Sequence, residues 1–170
     1  MDKKSKIILT VAPLVLALDR LTKLLVAGKV GIDQEIPVIN GFFNIVQVHN
    51  TGTAFGMFSA SHNQFRTPFL AVSTLLALAL LFYFAKKTRQ GDTLTLIAIA
   101  LIIGGAAGNL LDRLTYGYVI DFIDWYIGSY HWPSFNIADS GITVGVFILA
   151  VEVFVRGKSM GTDSAPGGSI

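Results

Sequence analysis

Four stretches of the chain are apolar over the length of a bilayer. Thr67–Ala85 ("TPFLAVSTLLALALLFYFA") and Thr93–Leu111 ("TLTLIAIALIIGGAAGNLL") each run 19 residues without a charged side chain. At about 1.5 Å of rise per residue such a helix is about 28 Å long, close to the hydrocarbon thickness. Ile7–Ala27 and Ile137–Val155 are of comparable length but carry internal charges. The pattern predicts an α-helical integral membrane protein with four transmembrane helices, near 7–27, 67–85, 93–113 and 137–155. Between them the period changes. In "QEIPVINGFFNIVQVHN" the Asn40-Gly41 pair stands between runs of β-branched and aromatic residues, a hairpin signal. Strands are predicted near Glu35–Ile39 and Phe42–His49, as a small β-sheet whose exposed apolar residues lie against the membrane interface. The stretch "TYGYVIDFIDWYIGSYHWPS" carries Trp125, Tyr126, Tyr130 and Trp132, aromatics that settle at the headgroup level. Its pattern fits a further strand or an interfacial loop or helix. Gly104 and Gly108 have the spacing of a close helix contact rather than of a phosphate loop.

Composition agrees with a membrane class. The chain of 170 residues is 52% hydrophobic and 14% charged, with mean hydropathy +0.61; soluble domains carry about 25% charged residues. The absence of cysteine excludes disulfides, thiol catalysis and thiolate metal sites. His49, His62 and His131 show no ligand spacing, so no metal or other cofactor is expected, and the net charge of +2 gives no reason to expect nucleic acid.

The placement of charge says more than its sum. Lys3, Lys4, Lys6, Lys86, Lys87, Arg89, Arg156 and Lys158 are eight of the 13 basic residues, and all fall on one side of a four-span arrangement. That side is cytoplasmic by the positive-inside rule. Both termini are then inside, and residues 28–66 and 114–136 face outward. The start "MDKKSKIILTVAPLVLALDR" also fits a signal peptide, with Val15-Leu16-Ala17 as a cleavage site. Against that, the apolar pattern resumes after Lys23 with "LLVA", and removal would leave three spans and upset the charge distribution. A retained helix is the better reading. Residues 1–156 form one membrane-embedded domain, and 157–170 ("GKSMGTDSAPGGSI") have the composition of a disordered tail.

Within the apolar frame stand polar groups that are costly at membrane depth. Asp19 and Lys23 share a face of the first helix at i and i+4; Asn109, Asp112 and Arg113 share a face near the outer end of the third. Asp121 follows eight residues after Arg113, and Asn136 and Asp139 open the fourth helix. Each has a plainer reading. The first pair makes a structural ion pair, Asp112-Arg113 an interface anchor, and Pro133, Ser134 and Asn136 a helix start with Asp139 complementing the dipole. What speaks for function is convergence, because every intramembrane charge except Glu152 falls at the same outer depth. Two functions suit carboxylates so placed: hydrolysis by a pair sharing one proton, or a proton-coupled membrane carrier. A carrier needs a path to both faces, and the inner halves of the second and third helices offer no charge, so hydrolysis fits better.

The blocks "LDRLTK" (18–23), "HNTGTAFG" (49–56), "GGAAGNLLDRL" (104–114), "VIDFID" (119–124) and "FNIADSGITVG" (135–145) resemble, in order, the motifs of the lipoprotein signal peptidases, or signal peptidase II. Arg20 departs mildly, since family members often carry Gln there. The resemblance implies an aspartyl endopeptidase of the bacterial cytoplasmic (inner) membrane, multi-pass, with its active site near the outer, periplasmic face. Its substrates would be diacylglyceryl prolipoprotein signal peptides, cut just before the lipid-modified cysteine. By matching motif the catalytic pair falls on Asp121 and Asp139. Asn50, Asn109, Arg113 and Asn136 match substrate-binding positions, and Asp19, Lys23, Gly52 and Asp112 supporting ones. The resemblance further implies four helices with an outward β-cradle, contact with membrane lipids, a monomer, and inhibition by globomycin-type cyclic peptides.

Overall fold

The computed structural model describes residues 1–32, 34–52 and 66–162, with side chains as far as Val155. Thr53–Gly56 of the second motif block, His62 and the last eight residues of the tail lie outside the described residues. Four helices are present: α1 (Lys3–Lys29), α2 (Arg66–Lys87), α3 (Thr93–Tyr116) and α4 (Ile137–Thr162). Among the described residues, α2, α3 and residues 137–155 of α4 are long and apolar enough to cross a membrane. The predicted fourth, α1, falls short of that measure because Asp19, Arg20 and Lys23 interrupt it and three lysines crowd its start. Helix α4 runs on to Thr162, six residues into the segment expected as a disordered tail. Extending an existing helix by a residue costs far less than starting one.

Helix α3 is the axis of the bundle, packing most extensively on α4 and α1 and also on α2. The buried positions of α1 include Ala12, Val15, Asp19, Lys23 and Val26, a stripe at spacings of three and four that faces α3. Small residues make that approach possible. A Cβ on Gly104 would lie 2.6 Å from the Ala12 carbonyl oxygen, so the predicted close contact exists and takes place between α3 and α1.

At one end of the bundle Lys4 donates to the Lys86 carbonyl (2.9 Å) and Lys3 to Thr93 Oγ1 (2.9 Å), so the basic residues that open α1 and close α2 meet there. The sheet caps the other end. Strands β1 (Glu35–Ile39), β2 (Phe43–Asn50), β3 (Val119–Ile127) and β4 (Tyr130–His131) pair antiparallel in that order. The hairpin turns at Gly41, whose φ of 82° is one that L side chains rarely adopt. Residues 119–127 and 130–131 are therefore strand, joined by a turn at Gly128-Ser129, and not interfacial helix. What settles it is a partner about 70 residues earlier in the chain: β3 pairs with β2 in the register Val48↔Asp121 and Asn50↔Val119, beyond a bulge after Ile45. Phe122 of β3 packs under the sheet on Val26 and Val30 at the end of α1.

Candidate active site

The excursion from β3 to α4 sets the position of both candidate carboxylates. Phe135 returns to β3 through an antiparallel bridge with Ile123, donating to its carbonyl (3.1 Å) and accepting from its N–H (2.8 Å). The next residue, Asn136, opens α4 and is fully buried. Its side chain reaches across to β3, donating from Nδ2 to Asp121 Oδ1 (2.7 Å). Its Oδ1 accepts from the Asp139 N–H (2.9 Å), while the Asn136 N–H donates to Asp139 Oδ2 (3.2 Å). This reciprocal pair is the geometry of a capping box, made with Asp in the place of Glu. The expectation that Asp139 complements a helix start is thus met, and the same residue also takes part in the polar cluster. Asn136 ties the two carboxylates together.

Two further asparagines complete the frame. Asn50, at the end of β2, donates to Asp121 Oδ2 (2.8 Å), so each oxygen of Asp121 accepts from an amide. Asn50 Oδ1 is held by the N–H of Gly52 (2.7 Å). That turn requires glycine, because φ is +87° and a Cβ would lie 2.5 Å from Leu70 Cδ1. Asn109 of α3 donates to Asp139 Oδ1 (2.7 Å) and accepts at its Oδ1 from Lys23 (3.0 Å) and from Asn136 (3.2 Å).

Beneath them lies a buried ionic group. Lys23 Nζ stands 2.8 Å from Asp19 Oδ2 and 2.8 Å from Asp112 Oδ2, and all three side chains are essentially inaccessible. Asp19 Oδ1 accepts from the N–H of Ala138 (2.9 Å), the residue before Asp139. Asp112 Oδ2 accepts from the N–H of Ile120 (3.3 Å), the residue before Asp121. The supporting group therefore grips the backbone immediately before each catalytic candidate. Arg20, the departure from the family pattern, pairs with Asp112 Oδ1. Sequence reading missed this role; the only signal was its place at i−3 from Lys23 on the same helix. Arg113 makes one long contact, to the Asn109 carbonyl (3.5 Å), and leaves its remaining donors unspent among the described residues. Asp124 is set apart, bonded to His131 Nδ1 (2.9 Å) and Asn44 Nδ2 (3.1 Å).

Burial is the main cause that pushes the Asp121 carboxyl up to about 7, and the charge of Asp139 adds to it. The amide donors of Asn50 and Asn136 and the Lys23 cation oppose the rise without cancelling it. A carboxyl that holds its proton near neutrality beside a second carboxylate can serve as one half of an acid–base pair.

Comparison with known proteins gives the family. The family model of signal peptidase (SPase) II matches residues 11–155. The chain is 44% identical over 158 residues to a lipoprotein signal peptidase of Syntrophus aciditrophicus (strain SB), covering 93% of this chain and 98% of that protein. It is 45% identical over 138 residues to a lipoprotein signal peptidase of Geobacter sulfurreducens, covering 81% and 85%. A bacterial membrane enzyme solved by the in meso method at 2.3 Å resolution superposes with a TM-score of 0.77 at 32% identity, over 96% of this chain and 94% of its own. With the family model matched over residues 11–155 and a relative 44% identical over 93% of the sequence, the chain belongs to the signal peptidase II family.

Proposed function

We propose that this protein is a membrane-embedded aspartyl endopeptidase that removes signal peptides from diacylglyceryl-modified prolipoproteins, cutting just before the lipid-modified cysteine. The observation that carries the reading is Asn136, which holds Asp121 and Asp139 in one hydrogen-bonded frame. In the mechanism this supports, the pair holds a single proton. The ionised carboxylate takes a proton from a water as that water attacks the scissile carbonyl, and the protonated partner donates to the carbonyl oxygen. Collapse of the tetrahedral intermediate breaks the C–N bond, and a proton passes to the leaving amine of the modified cysteine. Arg113 and the asparagines satisfy peptide carbonyls once the substrate helix unwinds, since unpaired amides are costly in lipid.

In this reading α1 spans the membrane as the fourth helix because its charges are paired inside the bundle. The basic end of the bundle is cytoplasmic, and the sheet and the site face the periplasm. The protein acts as a monomer in the bacterial inner membrane, and globomycin-type cyclic peptides block it by occupying the substrate site. The carrier reading finds no support, because the matched family is one of peptidases.

The test is incubation of purified protein with a diacylglyceryl prolipoprotein and its unlipidated twin. Cleavage of the first alone is expected. Asp121→Asn or Asp139→Asn should abolish it with the protein still folded, while Asp124→Asn keeps most activity. Normal cleavage by Asp121→Asn would mean that the pair is wrongly assigned.

A further inference from the structure

At the basic end of the bundle, remote from the sheet and the carboxylate pair, a cleft of about 340 Å³ lies between α1 and α2. Each of these helices packs on α3, and they make little contact with each other. Lys4 bridges the gap at its mouth, donating from Nζ to the Lys86 carbonyl (2.9 Å). Deeper along both helices the lining turns apolar within one turn, about 6 Å. Ile8 and Leu9 line it from α1 and Phe82 from α2, while Ala85 is buried in a cluster with Ile99 and Ala100 of α3. Leu9 and Phe82 are 61% and 47% exposed, on a surface that in a bilayer faces acyl chains.

We propose that this cleft holds a phospholipid with an anionic headgroup, its phosphate on Lys4 and Lys86 and one acyl chain between Leu9 and Phe82. The charge at the mouth suits an anion. Lys86 Nζ makes no hydrogen bond or ion pair among the described residues, and Lys4 spends one of its three ammonium donors on the Lys86 carbonyl. Asp2 also lines the mouth, but its carboxylate is turned back to the Ser5 N–H (2.9 Å), where it caps α1. The depth is right as well. The apolar span of α2 ends at Lys87, so Lys86 stands at the level of headgroup phosphates, where a cation attracts anionic lipid. A zwitterionic headgroup brings its own ammonium, which the lysines repel. The apolar half of the cleft decides between a lipid and a free phosphate. A small anion would pair with the lysines and leave the space between Leu9 and Phe82 unfilled, whereas a chain joined to the same phosphate occupies both halves.

The experiment counts bound lipid. Purified protein in detergent is titrated with dioleoylphosphatidylglycerol, dioleoylphosphatidylcholine or glycerol 3-phosphate, and the complexes are weighed by native mass spectrometry. The wild type should bind one dioleoylphosphatidylglycerol about tenfold more tightly than dioleoylphosphatidylcholine, and should retain no glycerol 3-phosphate. Lys86→Gln should remove most of that preference. Leu9→Trp, which puts bulk in the apolar half and leaves the charges alone, should weaken dioleoylphosphatidylglycerol about as much. Lys6→Gln removes the same charge from a position on α1 outside the cleft and should change nothing. All three altered residues are exposed, so the lipid-free Tm of each variant should match that of the wild type. Equal affinity of the wild type for the two lipids would overturn the site. Equal losses in Lys6→Gln and Lys86→Gln would replace it with a diffuse basic surface, and full binding by Leu9→Trp or retention of glycerol 3-phosphate would remove the acyl chain from it. Binding is the readout, so the outcome is separate from that of the cleavage assay.

Discussion

Gly108 lies so close to Asp19 that a Cβ on it would stand 2.5 Å from Asp19 Oδ2. Asp19 in turn accepts from the N–H of Ala138, next to Asp139. An added methyl on α3 therefore pushes a carboxylate on α1 against the start of α4. Gly108→Ala should destabilise the protein by about 1–3 kcal/mol, as overpacking does, and lower kcat. Gly28→Ala, where a Cβ meets nothing within 4 Å, should do neither. Thermal unfolding in detergent and turnover of lipidated substrate check both.

Lys23 neutralises two buried carboxylates at once. Lys23→Met should cost roughly 3–5 kcal/mol, because it leaves Asp19 without a cation and Asp112 with Arg20 alone. Arg20→Gln should cost far less, about 1 kcal/mol, since Lys23 still holds Asp112 and an amide can still donate. Equal losses for the two substitutions would show that the second cation matters as much as the first.

The Asp121 carboxyl, held up to about 7, binds its proton more tightly in the folded protein than in the unfolded chain, where a value of about 3.9 applies. The stability this contributes is fully present below about pH 4 and is lost as pH rises through about 7. The wild type should therefore lose more Tm between pH 5 and pH 8 than Asp121→Asn, which has no such proton to lose. For the same reason kcat/KM should fall above about pH 7, as the pair gives up its single proton. An identical Tm slope in both proteins would contradict the assignment.

Among the described residues, Arg113 holds unspent donors beside Asn109. Arg113→Lys keeps the charge but loses the planar fork. Expression and insertion should be intact, with kcat/KM lowered about tenfold or more, equivalent to about 1.4 kcal/mol. Near-wild-type activity for Lys with loss only for Ala would mean that charge alone matters.

Orientation can be read with reporters. Fusions at Asn40 and Ser129, in the turns that join the strands, should report the outer face, and fusions at Arg89 and Lys158 the cytoplasm. A cytoplasmic signal at Ser129 would reverse the placement of the whole site.

Local patterns were legible in the sequence, and long-range pairings were not. The hairpin at Asn40-Gly41 could be read to within a residue because its signal lies in adjacent positions. Residues 119–131 could not be resolved between strand and interfacial helix, since the strand depends on β2, far away in sequence. Asn50, Asn109, Asp121, Asn136 and Asp139, far apart in sequence, meet in one hydrogen-bonded cluster, while Arg113 reaches only the Asn109 carbonyl; the motifs gave no hint that Asp19 and Asp112 act on backbone N–H groups at Ala138 and Ile120. The task of Arg20 stayed hidden because its partner lies on α3, 92 residues on.

The buried ionic group also bears on how the chain is made. Helix α1 is made before the other three helices, and by composition it is the least fit of the four to remain in lipid. The groups that complete its pairing, Asp112 and Asn109 on α3 and the N–H of Ala138 on α4, are translated roughly a hundred residues later. Until those partners arrive, Asp19 and Lys23 have only each other within α1. Chains truncated before residue 109 should then leave α1 extractable by alkaline carbonate far more readily than the complete protein does.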